Sequence, residues 1–148
     1  GNLTNWWTPK DLENFQGLSK KYINYFSSFE PFTGIHVNGE LTIGENIADL
    51  GGLTLAYYAL EHSLKGKPEP KKIDGFTWQQ RFFLGWAQVW HNNILDEELR
   101  NRLQTDPHSP AKYRINGPLK HLQIFYDAFN VKQGDKMWLP ETERVVIW

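Results

Sequence analysis

The chain has 148 residues, of which 40% are hydrophobic, and this is enough for a single folded domain with one core. Its 16 Lys and Arg nearly balance its 17 Asp and Glu, and the net charge of -1 argues against a nucleic-acid partner, which selects a one-sided positive surface. No stretch approaches the roughly 20 apolar residues of a membrane-spanning helix, and because cysteine is absent any transition metal must be held by imidazole or carboxylate.

A long first helix is predicted to begin just after Thr8. Thr8 is a typical N-cap, Pro9 suits the first helical position, and Asp11 can complete a capping box. Apolar residues then recur at helical spacing. The helix is predicted to end at Glu30-Pro31, because the residue before a proline disfavours the helical conformation.

Residues 35–43 are predicted to form one short β-hairpin. Asn38-Gly39 lies there between alternating apolar positions, which is typical of a type I′ turn. The hairpin would lead directly into the segment that begins at Glu45.

A central helix, buried on most sides, is predicted from Glu45 to about Lys65, because apolar residues occupy most of its faces. Gly51-Gly52 lies inside this helix and costs about 1 kcal/mol per glycine relative to alanine. We therefore expect another backbone or helix to pack closely there.

The second half of the chain is also predicted to be helical, and the whole fold is mainly α. Its expected landmarks are a capping box at Thr77 to Gln80, Asp96 as the cap of a short helix through Leu103, a brief turn from Ser109 to Gly117, a helix starting at Pro118, and an apolar tail from Arg144 to Trp148 that docks on the body. Trp78, Trp86 and Trp90 share a helical stripe and are assigned to the core.

Glu45 and Asp49 carry the strongest chemical signal. Residues four apart lie about 6 Å from each other on one helical face, so both carboxylates should face the same cation. A metal ion is the leading candidate for that cation. The alternative is that the Glu45 carboxylate interacts with the positive end of the helix dipole and that Asp49 pairs with an arginine from elsewhere. The five histidines show no ligand partner at metal-binding helical spacing, which suggests half of a site: His36, His62, His91, His108 and His121.

His108 and Arg114 form a second candidate group. Prolines at positions 107 and 110 brace the loop around His108, and Arg114 follows on a short helical segment, so both side chains could point into one cleft. The plain alternative is a loop histidine and an arginine bound to a surface acid. Neither residue is specific when taken alone.

In order along the chain, these motifs resemble the C-terminal part of the catalytic domain of neprilysin-like zinc metallopeptidases, a family that includes endothelin-converting enzymes and bacterial oligopeptidase O. The resemblance spans essentially the whole chain and implies a helical C-terminal lobe of a thermolysin-like zinc peptidase. The matching residues are Gly1-Asn2-Leu3, Asn5-Trp6-Trp7-Thr8, Asn38-Gly39, Gly44-Glu45-Asn46-Ile47-Ala48-Asp49, Gly51-Gly52, Phe82-Phe83, Ala87-Gln88-Val89-Trp90, His108-Ser109-Pro110, Arg114 and Trp148.

The resemblance also implies a role for each candidate residue. Glu45 matches the third zinc ligand, which joins two histidines of an upstream H-E-x-x-H helix. Asp49 matches the acid that orients a ligand histidine. His108 matches the histidine that stabilises the oxyanion, and Arg114 matches the arginine that holds a backbone carbonyl of the bound peptide.

The implied activity is zinc-dependent hydrolysis of short peptides on the amino side of hydrophobic residues. The H-E-x-x-H segment is absent from this sequence, so we expect residues 1–148 to be the C-terminal part of the catalytic domain, inactive alone and able at best to hold zinc weakly. Its expected partners are peptide substrates and the missing N-terminal part of the same domain. Without that part, exposed apolar surface should favour self-association.

A non-catalytic helical binding or scaffold module is the alternative function. The lack of cysteine favours a bacterial source over a disulfide-bonded vertebrate surface protein. For the compartment, we expect export to the periplasm, a lipid anchor or the cell surface, with the cytoplasm as the alternative.

Overall fold

In the computed structural model, which describes residues 1–147, the chain folds into six α-helices and is mainly α, as predicted. The helices are α1 (Pro9–Ser27), α2 (Gly39–Leu64), α3 (Trp78–Val89), α4 (Asp96–Thr105), α5 (Ala111–Leu119) and α6 (Gln123–Phe129), followed by a 3-10 turn at Glu141–Glu143. The β-pairing within residues 1–147 is limited to two isolated bridges, at Phe32 with Ile35 and at Ile73 with Phe76. No helix in this range is long and apolar enough to cross a bilayer.

Helix α1 begins as predicted. The side chain of Thr8 accepts a hydrogen bond from the backbone N–H of Asp11 at 3.1 Å, and Pro9 occupies the first helical position. The helix ends at Ser27, slightly before the predicted Glu30-Pro31 stop. Its buried face presents Tyr22 and Phe26 to the core.

The predicted β-hairpin over residues 35–43 is wrong, because Asn38 is the N-cap of α2. Its side chain accepts from the backbone N–H of Leu41 at 3.0 Å, and its φ of -81° excludes a type I′ turn, which needs positive φ. Gly39 serves close packing instead, since a Cβ at this position would collide with the backbone carbonyl oxygen of Ile23 on α1. Asparagine caps helices as readily as it forms turns, and the contact with α1 decides between them.

Helix α2 therefore starts six residues earlier than predicted, and Glu45 lies in its second turn rather than at its N-terminus. One face of α2 is open to solvent, where Leu55 is 69% exposed. This contradicts the prediction of a helix buried on most sides. The close packing expected at Gly51-Gly52 is also not found at Gly52, where a Cβ would meet nothing within 4 Å.

The later helices follow the prediction in part. The capping box at Thr77 is confirmed, since Thr77 and Gln80 exchange both hydrogen bonds at the start of α3. Asp96 is the first residue of α4 rather than its cap, and Pro118 lies inside α5 instead of starting the next helix. Proline in the last turn of α5 removes a backbone donor only where the helix is already ending.

The core is rich in aromatic residues and lies among α1, α2, α3, α5 and α6. Its most buried members are Tyr22, Phe26, Leu50, Leu53, Phe83, Leu119, Tyr126 and Val145. The backbone N–H of Val145 donates to Nδ1 of the buried His121 at 2.9 Å, so the tail docks on the body as predicted up to this point. The last residue of the predicted tail, Trp148, lies outside the described residues.

Candidate active site

Glu45 and Asp49 lie one turn apart on α2 and face the same cation, the guanidinium of Arg114 on α5. Arg114 donates from Nε to Asp49 Oδ2 and from Nη2 to Asp49 Oδ1, both at 2.7 Å. The same Nη2 lies 3.4 Å from Glu45 Oε2. Within this chain, the cation that both carboxylates face is therefore Arg114. For Asp49, this is the arginine partner that the alternative interpretation predicts.

The environments of the two carboxylates differ. The Asp49 side chain is 7% exposed, whereas the Glu45 side chain is 40% exposed. Burial raises the pKa of Asp49, and the hydrogen bonds and charge of Arg114 offset part of that rise. Asp49 is therefore a buried anchor for Arg114, while Glu45 keeps lone pairs that are open to solvent or to another ligand.

Arg114 is held from a second direction by Trp90. The guanidinium carbon lies 3.8 Å from the centre of the Trp90 ring, which is a cation–π contact. Trp90, assigned to the core from its helical spacing, thus forms part of the site. Among residues 1–147, the hydrogen bonds of Arg114 use Nε and Nη2 and leave Nη1 without a protein partner.

His108 lies in the loop between α4 and α5, with a carboxylate at each ring nitrogen. Its Nδ1 is 2.6 Å from Asp106 Oδ1, and its Nε2 is 3.2 Å from Glu45 Oε2. The structure therefore brings together all four residues singled out from the sequence, namely Glu45, Asp49, His108 and Arg114. Nε2 is therefore the ring nitrogen that lies next to the partly exposed carboxylate of Glu45.

Asp106 is the site residue that sequence reasoning missed. Its Oδ1 accepts from both the ring and the backbone N–H of His108, the latter at 2.9 Å. Partial burial raises the pKa of Asp106, but these hydrogen bonds outweigh that effect and leave the pKa below its ordinary value. An aspartate two residues before a histidine in a proline-braced loop is the signal that could have identified it, because such a side chain bonds back to its own loop.

A cleft of about 790 Å³ opens beside His108 and Arg114. Aliphatic side chains supply part of its lining: Ile94, Leu99, Leu103 and Ile115. The rest of the lining is largely polar or charged, and a cleft that combines apolar and polar groups can both bury and orient a ligand.

The described residues do not by themselves form a complete zinc site. Glu45 offers a half-exposed carboxylate of the type that zinc accepts, but residues 1–147 contain no group of three His, Asp or Glu side chains that could together hold a metal ion. His36 and His62 are exposed, His121 is buried in the core, and none joins the site.

The chain is similar in sequence to known peptidases over nearly its whole length. Residues 1–145 match the family described as Peptidase family M13. The chain is 40% identical over 139 residues to an endothelin-converting enzyme homolog of Locusta migratoria, covering 93% of this chain and 19% of that protein. It is 38% identical over 148 residues to a neutral endopeptidase of Lactococcus lactis subsp. cremoris, covering 100% of this chain and 22% of that protein.

The fold is similar to a solved peptidase structure. The Mycobacterium tuberculosis zinc metalloprotease ZMP1, solved in complex with an inhibitor, superposes with a TM-score of 0.95 at 43% identity and covers 99% of this chain and 23% of that one. The chain spans about a fifth of the length of the curated relatives that it matches.

Proposed function

Because this chain belongs to peptidase family M13, we propose that it forms one wall of the active site of a zinc-dependent endopeptidase that cleaves short peptides. The convergence of Glu45, Asp49, His108 and Arg114 carries this proposal, because His108 and Arg114 also line a cleft that has an aliphatic portion. The rest of the catalytic domain, including the other zinc ligands, would come from a segment outside this sequence.

Glu45 is the proposed zinc ligand of this chain. Its carboxylate is partly exposed, and its Oε2 lies 3.2 Å from Nε2 of His108 and 3.4 Å from Nη2 of Arg114. When bound, zinc would polarise the scissile carbonyl and acidify a water molecule. Asp49 holds Arg114 with both oxygens, each of which keeps a further lone pair for an N–H of a ligand histidine.

His108 and Arg114 act on the substrate. The Nε2–H of His108 would donate to the oxygen that gains charge as the peptide bond is attacked, while Asp106 fixes the other ring nitrogen. The free Nη1 of Arg114 would donate to a backbone carbonyl of the peptide. Because Asp49 and Trp90 already fix the guanidinium, little side-chain entropy is lost on binding.

The cleft supports the substrate preference that we propose. Its aliphatic lining next to His108 and Arg114 would accept a hydrophobic side chain on the carboxyl side of the cleaved bond. The enzyme would therefore cleave on the amino side of hydrophobic residues.

The chain alone is proposed to be inactive and to bind zinc weakly at best, because one carboxylate supplies too few donors. The remainder of the catalytic domain would pack on the exposed apolar surface of this chain. The exposed Leu55 and Tyr58 on α2 would favour self-association in its absence, which light scattering at rising concentration measures. A strictly monomeric chain at high concentration would contradict this part of the proposal.

Complementation tests the proposed function. The chain is combined with the upstream segment of its gene, and zinc content and cleavage of a short peptide are measured. We expect cleavage that a chelator removes and zinc restores, and that Glu45→Ala abolishes. Glu61→Ala is the matched control, because Glu61 is an exposed glutamate on the same helix, and it should leave cleavage unchanged.

The alternative, a helical binding or scaffold module, makes the opposite prediction. Complementation would then produce no zinc-dependent cleavage, and Glu45→Ala would change nothing that Glu61→Ala does not also change. Zinc-dependent turnover by the 148-residue chain alone would refute the proposed need for a second segment.

A further inference from the structure

A buried chain of hydrogen bonds connects α2 to the loop that carries His108. Ser109 Oγ donates to Asn46 Oδ1 at 2.8 Å, and Asn46 Nδ2 donates to Thr42 Oγ1 at 2.9 Å. Thr42 Oγ1 in turn donates to the backbone carbonyl of Asn38 at 3.0 Å. The exposed fractions of Thr42, Asn46 and Ser109 are 3%, 1% and 3%. We call these three side chains the relay.

The relay lies directly behind two residues of the candidate active site. Asn46 follows Glu45 and Ser109 follows His108, and the Asn46–Ser109 bond joins residues 63 positions apart. Residues 106–110 form neither helix nor strand, so regular backbone hydrogen bonding does not fix their place against α2. The Asp49–Arg114 pair anchors the next element, α5, but not His108 itself.

We propose that Asn46 and Ser109 are positioning residues that hold His108 in place beside Glu45, an inference that rests on the proposed peptidase function. Buried amides and hydroxyls are costly unless each is hydrogen-bonded, so the relay has one favourable arrangement. That arrangement fixes the backbone on either side of His108, because Ser109 is bonded to α2 and Asp106 is bonded to the His108 ring.

The kinetic signature follows from what His108 does. Loss of a group that stabilises charge only in the transition state lowers kcat. Loss of a group that also binds the substrate in the ground state raises KM. Loss of the relay should displace His108 and leave Arg114, with its separate anchor at Asp49, in place. The relay is therefore expected to act on kcat with little effect on KM.

The experiment uses Ser109→Ala in the full-length peptidase, meaning this chain together with its upstream segment. We expect kcat to fall about 10- to 100-fold, the range that small misplacements of catalytic groups produce, while KM and zinc content stay unchanged. Thr54→Val is the matched control, because this hydroxyl on α2 donates only to the Leu50 carbonyl of its own helix. It should leave kcat unchanged, and an unchanged kcat in Ser109→Ala would overturn the proposal.

A double-mutant cycle with His108→Ala separates positioning from a merely structural role. If the relay acts through His108, Ser109→Ala should cause no further loss of kcat in the His108→Ala background. An equal loss in both backgrounds would mean a general structural effect and would overturn the proposal. If Ser109→Ala does not fold, Thr42→Val makes the same chemical change as the Thr54→Val control and is tested in the same cycle.

A readout independent of activity distinguishes this inference from the proposed function. Backbone hydrogen exchange at the amides of Asp106, His108 and residue 109 should be faster in Ser109→Ala than in the wild type, with exchange in α2 unchanged. Equal exchange in this loop would overturn the inference even in an active enzyme. A wild-type protein without zinc-dependent cleavage would refute the proposed function, and loop exchange would still decide whether the relay positions His108.

Discussion

Two buried regions of this chain are built on different physics. The polar junction, formed by contacts of Glu45, Asn46 and Asp49 with residues 106–114, consists of directional bonds between matched groups. The aromatic core is held by rings in edge-to-face contact, as between Tyr22 and Phe26. A one-sided change in the junction leaves a buried charge or donor without a partner, whereas a change of an apolar side chain in the core alters mainly packing volume.

Helix α5 belongs to both regions. Arg114 on one side bonds to Asp49 of α2, and Gly117 on another side lies against the ring of Phe26 of α1. The core thus sets the position of the backbone that presents Arg114. Site geometry in this chain therefore depends on apolar packing one turn away from the charges.

The largest expected effect comes from breaking the polar junction on one side. Arg114→Met should lower the free energy of unfolding by about 3–5 kcal/mol, because it leaves the buried carboxylate of Asp49 without its cation. Urea denaturation measures the change.

Two further variants sharpen this result. The double variant Asp49→Leu with Arg114→Met should recover most of the loss, since no unpaired charge remains. Lys10→Met removes the cation of an exposed pair with Glu13 and should change stability little. A loss in the double variant as large as in Arg114→Met would show that packing, rather than the unpaired charge, is responsible.

An intermediate effect is expected in the core, at the titration of His121. Burial, with smaller contributions from the charges of Lys21, Arg144 and Lys120, lowers its pKa to about 3. Between pH 6.5 and 3, His121 is therefore protonated in the unfolded chain but not in the folded chain. Stability from this group is complete above about pH 6.5 and should fall by about 3 kcal/mol between pH 7 and pH 4.

Protonation of His121 would also disrupt one hydrogen bond. Nδ1 of His121 accepts from the backbone N–H of Val145, and protonation would replace that acceptor with a donor. Unfolding measured at pH 7, 5 and 4 should therefore show a shallower acid dependence in His121→Gln than in the wild type. His36→Gln changes an exposed histidine and serves as the control. Parallel pH curves for His121→Gln and wild type would contradict the assignment.

The same contrast explains which parts of the fold could be predicted from the sequence. The starts of α1 and α3 were predicted correctly because Thr8 and Thr77 bond within three residues of themselves. Asn38-Gly39 was misread because the same dipeptide suits a turn and a helix start. The contact of Gly39 with Ile23 decides the outcome, and local sequence does not contain it.

The candidate site was predictable to a similar extent. Helical spacing placed Glu45 and Asp49 on one face, but the partner of Asp49 lies 65 residues away, and no spacing rule identifies it. The resemblance to a known family assigns Asp49 to a ligand histidine and Arg114 to a bound peptide, so it does not identify their pairing either. The roles that it implies for Glu45, Asp49, His108 and Arg114 stay predictions. Asp106 went unnoticed because its bond to His108 depends on the loop conformation.

The smallest expected effect tests the link between the two regions at Gly117. An added Cβ at this position would lie 2.7 Å from Cζ of the Phe26 ring, so Gly117→Ala should destabilise the fold by about 1–3 kcal/mol. Gly17→Ala in α1 is the matched control: a Cβ there meets nothing within 4 Å, and the change should stabilise by about 0.5–1 kcal/mol. Thermal unfolding of both variants measures the difference. Because the clash acts on the backbone that carries Arg114, Gly117→Ala should also raise KM in the complemented enzyme, and an unchanged KM would show that α5 adjusts without moving the guanidinium.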